Sequence, residues 1–205
     1  DARDADLLWM RKGYRSWFAH LGEEQSLNHI PTESSMTNKG YLLHHLQQAA
    51  AQSADHKAQL STFFPESYRL YIRAEREALF RQLSDRQDLW VLKPVALSKG
   101  RGIKLCRDLS PLASYYRDGV ATPLVQECDI DKGTKYIVQR HVDDLLLLDG
   151  HKQEIRAYWL IASLQPLRVF VYPTPTVRVC SGVFQTDNLD DKLAHVTNVY
   201  QQKNQ

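Results

Sequence analysis

A lysine inside an apolar strand, followed by a glycine-containing loop, is the first feature that could do chemistry. In the segment LWVLKPVALSKGRGIKLC, Lys93 interrupts an apolar run, and Gly100 and Gly102 follow it. A buried lysine without a counter-charge is unfavourable, and glycines allow backbone N–H groups to face an anion. Together they favour a nucleotide phosphate between strand and loop. An edge-strand lysine reaching water and an ordinary hairpin turn are the alternatives, and the pattern is neither a P-loop nor a Rossmann fingerprint.

Further along, polar side chains recur within strand-like runs. Glu154 and Arg156 alternate with Ile155 and therefore share one face of a strand. A carboxylate there could hold Mg²⁺ and a guanidinium could hold a substrate carboxylate; a salt bridge between the two is the alternative. Arg178 is a further single cation in an apolar run.

Two other groups of polar residues invite a binding role. Gln139 and Arg140 end the strand-like run KYIVQR, where a hinge could offer backbone groups to a nucleotide base or could be ordinary surface. His195, Thr197 and Asn198 form a compact polar cluster, to which spacing alone assigns no catalytic role.

Composition limits the class of protein. The 205 residues carry a net charge of only +2 and are 43% hydrophobic, which argues against a strongly basic nucleic-acid-binding protein and allows a sizeable core. No apolar run reaches the ~20 residues of a membrane span, so neither nucleic acid nor membrane is an expected partner. The three cysteines have no paired or metal-like spacing, so we expect a reduced, intracellular environment. The missing initiator methionine and the uncapped end lead us to expect a piece of a longer gene product.

The elements that must position these residues change type along the chain. Three amphipathic segments predict helices: ADLLWMRKGYRSWFAHLG, NKGYLLHHLQQAAAQSADHKAQL and AEREALFRQLSDR. From Leu89 onward LWVLKPVAL, KYIVQRHV, IRAYWLIAS and LRVFVYPT read as strands. We therefore predict an α+β fold with a two-lobed cleft, divided into a helical region, 1–88, and a nucleotide- and substrate-binding region, 89–205, with a mainly antiparallel sheet.

Five ordered blocks carry a resemblance to a known family. They are LNHIP with MTNKGYLLHHL, then FFPESYRL, WVLKPVALSKGRGI, IVQRHVDDLLLLDGHKQEIRAYWLI and HVTNVYQQK. In this order they resemble the tubulin–tyrosine ligase-like family of the ATP-grasp superfamily, over about Asn28 to Lys203.

The resemblance implies a ligase that uses ATP and Mg²⁺ to join a free amino acid to tubulin or a similar acidic polypeptide through an acyl phosphate. It implies a cytoplasmic location, associated with the cytoskeleton or cilium. It assigns Lys152, Arg156 and Arg178 to the substrate and Glu154 to the metal. Its nucleotide-binding positions are Lys39, Lys93, Lys99, Gly100, Arg101, Gly102, Ile103, Gln139, Arg140, Val142, Thr197 and Asn198.

Departures from the family pattern keep a second hypothesis open. Glu154 stands where the family has Asp, Arg140 replaces the hinge lysine, and the family's late Glu-x-Asn metal pair should follow the present end. The alternative is a non-catalytic nucleotide- or microtubule-binding module. A ligase with a small-molecule acceptor explains the phosphate features but explains the ordered blocks less well. The sequence leaves open whether glycine, glutamate or tyrosine is the amino acid.

Overall fold

The structure, a computed structural model, describes residues 5–11, 13, 15–83, 88–118 and 133–203. The chain forms two compact units, Asp1–Lys57 and Ala58–Gln205. The division after residue 88 into a helical and a ligand-binding region stays a prediction. Within the described residues, no helix is long and apolar enough to cross a membrane.

The first unit contains short elements and one longer helix. Its elements are β1 (Leu7–Leu8), α1 (Arg15–Phe18), β2 (Ser26–Leu27), α2 (Ser34–Thr37) and α3 (Lys39–Ala50), and α4 (Ala54–Ser61) begins in it. Strands β1 and β2 pair in parallel. The Asn38 side chain caps α3 by accepting hydrogen bonds from the N–H groups of Gly40 and Tyr41 at 2.9 and 3.2 Å.

Two helix predictions need correction in this unit. The long first helix is wrong: Asn28 binds both backbone groups of Met10, at 2.7 Å to its N–H and 3.0 Å to its carbonyl, and His29 also contacts that carbonyl. These contacts take the backbone groups that a helix would use. The second predicted helix is interrupted between Ala50 and Ala54 and forms α3 and α4.

The second unit begins with a four-stranded antiparallel sheet covered by two helices. Its elements are β3 (Ser67–Arg69), α5 (Arg73–Phe80), β4 (Trp90–Pro94), β5 (Lys104–Cys106), α6 (Ser110–Asp118) and β6 (Tyr136–Arg140). The strand order is β3-β6-β4-β5. The core contains Trp90, Leu92 and Val138 together with Leu79 of α5 and Leu112 of α6. Because β4 alternates, Val91 and Lys93 face away from that core.

The remaining strands form a second antiparallel sheet and a separate hairpin. They are β7 (Leu147–Leu148), β8 (His151–Arg156), β9 (Trp159–Leu164), β10 (Leu167–Val171) and β11 (Thr176–Val183), followed by α7 (Lys192–His195) and α8 (Val199–Lys203). The sheet order is β11-β8-β7, and β9 pairs with β10. Helices combined with antiparallel strands confirm the predicted α+β class.

The cysteines differ from the sequence-based expectation. Cys106 is fully buried in β5 and is disulfide-bonded, whereas Cys180 in β11 is a buried free thiol. Burial raises the pKa of the Cys180 thiol to about 11. The expectation of unpaired cysteines is wrong for Cys106, because spacing along the chain does not reveal which thiols the fold brings within bonding range.

Gly182 lets α7 approach β11 closely, and replacing it should destabilise the fold. A Cβ at Gly182 would lie 2.9 Å from the backbone nitrogen of Ala194 and 3.0 Å from the carbonyl carbon of Leu193. We expect Gly182→Ala to lower the free energy of unfolding by about 1–3 kcal/mol through overpacking. Urea unfolding measures it, with the exposed neighbour substitution Val183→Ala as the control; equal stabilities of Gly182→Ala and wild type would contradict the prediction.

Candidate nucleotide- and substrate-binding site

A cavity of about 300 Å³ in the second unit collects most of the predicted site residues. Its walls come from β4, the loop between β4 and β5, strands β8 and β11, and the segment joining α7 to α8. The residues lining it are Val91, Lys93, Gly100, Ile103, Leu105, Lys152, Glu154, Arg156, Arg178, His195, Val196, Thr197 and Asn198.

Lys93 lies on an interior strand. Because β4 has neighbours on both sides, the alternative of an edge-strand lysine is wrong. Its Nζ donates to Oε1 of Gln139 at 2.5 Å, and the amide of Gln139 donates to Oγ of Ser67 at 2.8 Å. This chain of polar contacts holds the Lys93 ammonium at the cavity wall.

The loop after β4 connects two neighbouring antiparallel strands and also reaches the cavity. Lys99, Gly100 and Gly102 have positive φ angles of 62°, 70° and 67°, a region that favours glycine. A Cβ at Gly100 would lie 2.8 Å from Cγ1 of Val196, and the amide of Gln201 donates to the Lys99 carbonyl at 3.1 Å. The loop is therefore a hairpin connection, which was the alternative to a phosphate-binding loop. It packs against the α7–α8 segment.

Strands β8 and β11 supply the charged wall. Lys152, Glu154 and Arg156 alternate along β8 and all line the cavity. Arg178 lies directly opposite Glu154 in the strand register, and its guanidinium donates to the Glu154 carboxylate at 3.1 Å. Glu154 does form a salt bridge, which was the alternative to a role as metal ligand. Its partner is Arg178 on the neighbouring strand and not Arg156 on its own strand.

The other two cations of this wall differ in environment. Burial lowers the pKa of the Lys152 ammonium, an effect that the nearby Glu154 carboxylate opposes. Arg156 is exposed, and its guanidinium lies 5.8 Å from the Tyr158 ring centroid. Within the described ranges, neither Lys152 nor Arg156 forms an ion pair, so both charges can meet an anion.

Several predicted residues do not line this cavity. Gln139 is bonded to Lys93 and Ser67, Arg140 forms an ion pair with Asp88 at 3.0 Å, and Val142 is exposed. Those away from the cavity wall are Lys99, Arg101, Gly102, Gln139, Arg140 and Val142. Lys39 belongs to the first unit, where burial lowers its pKa.

The structure adds lining residues that the motifs did not indicate. Val91 and Leu105 form an apolar floor, which the alternation of β4 could have indicated for Val91. Thr197 is buried, and the Asn198 side chain accepts a hydrogen bond from the N–H of Tyr200 at 3.0 Å. His195 lines the cavity although spacing assigned it no role.

Glu154 is the candidate metal ligand at this cavity. In the part of the chain that the structure describes, no group of three His, Cys, Asp or Glu residues could hold a metal ion. Mg²⁺ commonly binds through one or two carboxylates plus nucleotide phosphates and water. One carboxylate in the same cavity as Lys93 fits that mode, provided that Glu154 exchanges its contact with Arg178.

The Glu154 substitution separates the metal role from the salt bridge. Glu154→Gln should lower the free energy of unfolding by less than about 1 kcal/mol, because the pair with Arg178 is partly exposed. If Glu154 holds Mg²⁺, the variant should lose more ATP affinity with Mg²⁺ than without it. Calorimetric titration in both conditions measures this, with Glu77→Gln, from the exposed Arg73–Glu77 pair, as the matched control. An equal loss in both conditions would contradict a metal role.

Comparison with known structures defines the fold class. The chain is similar to the C-terminal domain of K. lactis Pby1, described as an ATP-grasp enzyme interacting with the mRNA decapping enzyme Dcp2. The TM-score is 0.57 at 21% identity, covering 92% of this chain and 52% of that one. The chain has an ATP-grasp-like fold.

Comparison of sequences defines the family. The model of the tubulin-tyrosine ligase family matches residues 19–205, and this chain belongs to that family. It is 32% identical to protein polyglycylase TTLL10 of Rattus norvegicus over 98% of this chain and 31% of that protein. It is 27% identical to a probable tubulin polyglutamylase, TTLL2 of Mus musculus, over 97% and 34%.

A third relative has a different description. The chain is 33% identical to the inactive polyglycylase TTLL10 of Homo sapiens, over 70% of this chain and 21% of that protein. The chain thus spans about a third or less of the length of these curated relatives.

Proposed function

We propose that this chain provides the nucleotide- and substrate-binding residues of an ATP-dependent ligase that adds an amino acid to tubulin or another acidic protein. The observation that carries the proposal is the cavity, because it brings Lys93 and Gly100 together with Lys152, Arg156 and Arg178. A cationic cavity next to a glycine-containing loop suits a triphosphate and carboxylates at the same time. The names of the similar polyglycylase and polyglutamylase support glycine and glutamate as the first amino acids to test, with tyrosine as the third.

The chemistry requires activation of a carboxylate. A carboxylate is a poor electrophile, so the terminal phosphoryl group of ATP first passes to one carboxylate oxygen, which gives an acyl phosphate and ADP. An amine then forms the C–N bond while the C–O bond to phosphate breaks and inorganic phosphate leaves. Both steps move negative charge onto phosphate oxygens, which fixed cations stabilise.

The residues of this chain divide these tasks by position. Lys93, Gly100 and Ile103, which line the cavity, would bind phosphates, and Lys152, Arg156 and Arg178 would bind carboxylates. Glu154 would hold Mg²⁺, which neutralises phosphate charge when bound. Lys39, Lys99, Arg101, Gly102, Thr197 and Asn198 remain proposed nucleotide contacts, and Gln139, Arg140 and Val142 remain proposed to contact the base through backbone groups.

The test is incorporation of labelled glycine, glutamate or tyrosine into tubulin with ATP and Mg²⁺. It uses both the 205-residue chain and the product of the full gene. We expect label in tubulin for one amino acid, dependent on ATP and lost in Lys93→Met. No incorporation by the full gene product with any of the three would overturn the ligase proposal. A cytoplasmic location, associated with the cytoskeleton or cilium, stays part of the proposal.

A non-catalytic module is the second candidate, because one relative carries the name inactive polyglycylase. The engagement of Glu154 by Arg178 also favours it, since that contact competes with Mg²⁺. This candidate predicts that the chain binds ATP or microtubules without incorporation. Microtubule co-sedimentation and ATP titration, run beside the incorporation assay, distinguish the two functions.

A further inference from the structure

The side chain of Gln202, in α8, joins three elements next to the cavity and is not among the residues that line it. Its amide Nε2 donates to the carbonyls of Val196 at 2.7 Å and Leu193 at 3.3 Å. Its Oε1 accepts from the backbone N–H of Ser181 at 2.9 Å and from the Ser181 hydroxyl at 2.5 Å. One side chain therefore ties α8 both to the end of α7 and to β11.

These partners fix the orientation of the Gln202 amide. A carboxamide has two N–H donors and one oxygen that can accept twice, and all four positions are used here. The carbonyls of Val196 and Leu193 only accept, and the backbone N–H of Ser181 only donates. Exchanging the amide nitrogen and oxygen would place acceptor against acceptor and donor against donor. A polar network that is fully satisfied in this way holds one conformation.

The segment that Gln202 holds forms one wall of the cavity. Val196, Thr197 and Asn198 all line it, and the first two are buried. A Cβ at Gly100 would lie 2.8 Å from Cγ1 of Val196, so this wall also packs closely against the loop between β4 and β5. A displacement of Val196 would therefore change the positions of Gly100 and Thr197, which are both proposed nucleotide contacts.

We propose that Gln202 is a positioning residue for nucleotide binding, which holds the segment Val196–Asn198 in the conformation that accepts ATP. The inference rests on the proposed nucleotide binding at this cavity and extends it to a residue that does not contact the nucleotide. It also predicts that the N–H end of the amide matters more than the oxygen end. The reason is that only the N–H end contacts the segment that lines the cavity.

The first test is isothermal titration of the 205-residue chain with ATP in three variants. Gln202→Met keeps much of the side-chain length and loses all four hydrogen bonds, whereas Gln202→Glu keeps the acceptor for Ser181 and loses the donors to Val196 and Leu193. Both should weaken ATP binding by about tenfold, because they leave the Val196 carbonyl unpaired. Ser181→Ala removes one bond at the oxygen end and should weaken binding by no more than about threefold.

A matched control accounts for the added charge and for the loss of a glutamine. Gln82 makes an exposed contact, from its amide to the Ala78 carbonyl at 3.1 Å, and is not among the cavity's lining residues. Gln82→Glu should bind ATP like wild type. Gln202→Met adds no charge, so its loss of affinity cannot come from repulsion of the phosphates.

Two further measurements separate positioning from general damage to the fold. The amide NMR signals of Gly100 and Thr197, recorded without ATP, should shift in Gln202→Glu and stay in place in Gln82→Glu. A glutamate-rich peptide, whose proposed contact is Arg156 on β8, should bind both Gln202 variants like wild type. Urea unfolding of both should remain cooperative.

The outcomes distinguish this inference from the ligase proposal. Wild-type ATP affinity in both Gln202 variants would overturn the positioning role and leave the nucleotide site standing. Loss of peptide binding or of cooperative unfolding together with ATP binding would also overturn it, because the damage would then be general. If the Gln202 variants alone bind ATP weakly and tubulin still gains no label, the positioning role holds and the ligase proposal fails. A wild-type chain that does not bind ATP would overturn the nucleotide site and this inference with it.

Discussion

Replacement of Lys93 by methionine should weaken ATP binding by about 10- to 100-fold. A charge-assisted hydrogen bond contributes about 1.5–3 kcal/mol, and each 1.4 kcal/mol is a tenfold change in affinity. The Lys93 ammonium is already positioned by Gln139 at 2.5 Å, so little ordering is needed when a phosphate arrives. Methionine retains much of the side chain's apolar length but removes the charge.

Lys104→Met is the matched control for this substitution. Lys104 lies on the neighbouring strand β5, paired with Leu92, and is not among the cavity's lining residues. Isothermal titration with ATP should therefore give wild-type affinity for Lys104→Met. Wild-type affinity for Lys93→Met as well would remove Lys93 from the nucleotide site, and a loss of unfolding cooperativity would reveal a damaged fold instead.

Arg156→Ala should weaken binding of a glutamate-rich peptide by about tenfold at low salt. Arg156 has no ion-pair partner within the described segments, and its planar guanidinium matches a carboxylate. The Arg178 guanidinium already donates to the Glu154 carboxylate at 3.1 Å. Arg178→Lys should therefore weaken peptide binding less than Arg156→Ala does. The net charge of +2 is too small to attract an acidic tail by itself, so the local cations must supply the attraction.

The peptide titration needs two ionic strengths and a control arginine. Exposed charges are screened with a Debye length of about 8 Å at physiological salt, so the effect of Arg156→Ala should shrink as salt rises. Arg168→Ala, on the exposed β9–β10 hairpin, should bind the peptide like wild type. If Arg156→Ala also binds it like wild type, the acidic-polypeptide acceptor loses its support and a small-molecule acceptor gains it.

The periodicity of the sequence determined the strands and the faces on which their side chains lie. Trp90 and Leu92 alternate with Lys93, and Lys152, Glu154 and Arg156 alternate along β8; both patterns place the charged side chains correctly. Alternation is local, because successive side chains of any strand point to opposite faces. The ordered motif blocks are also local features of the sequence. They identified the family, and the comparison of sequences confirmed it.

Only the tertiary structure determines which residues distant in sequence contact each other. Glu154 bonds to Arg178, 24 residues away, because the β8–β11 register places them opposite each other. Of the predicted first helix, the described residues keep only the four-residue α1, because Asn28 binds Met10 across 18 residues. Nε2 of His195 comes within 2.9 Å of the Asn188 carbonyl oxygen only when α7 packs beside β11. The sequence by itself determined the residue types and the strand face on which each side chain lies. Strand register and loop packing determined which of these side chains contact each other, because such contacts depend on the path of the whole chain.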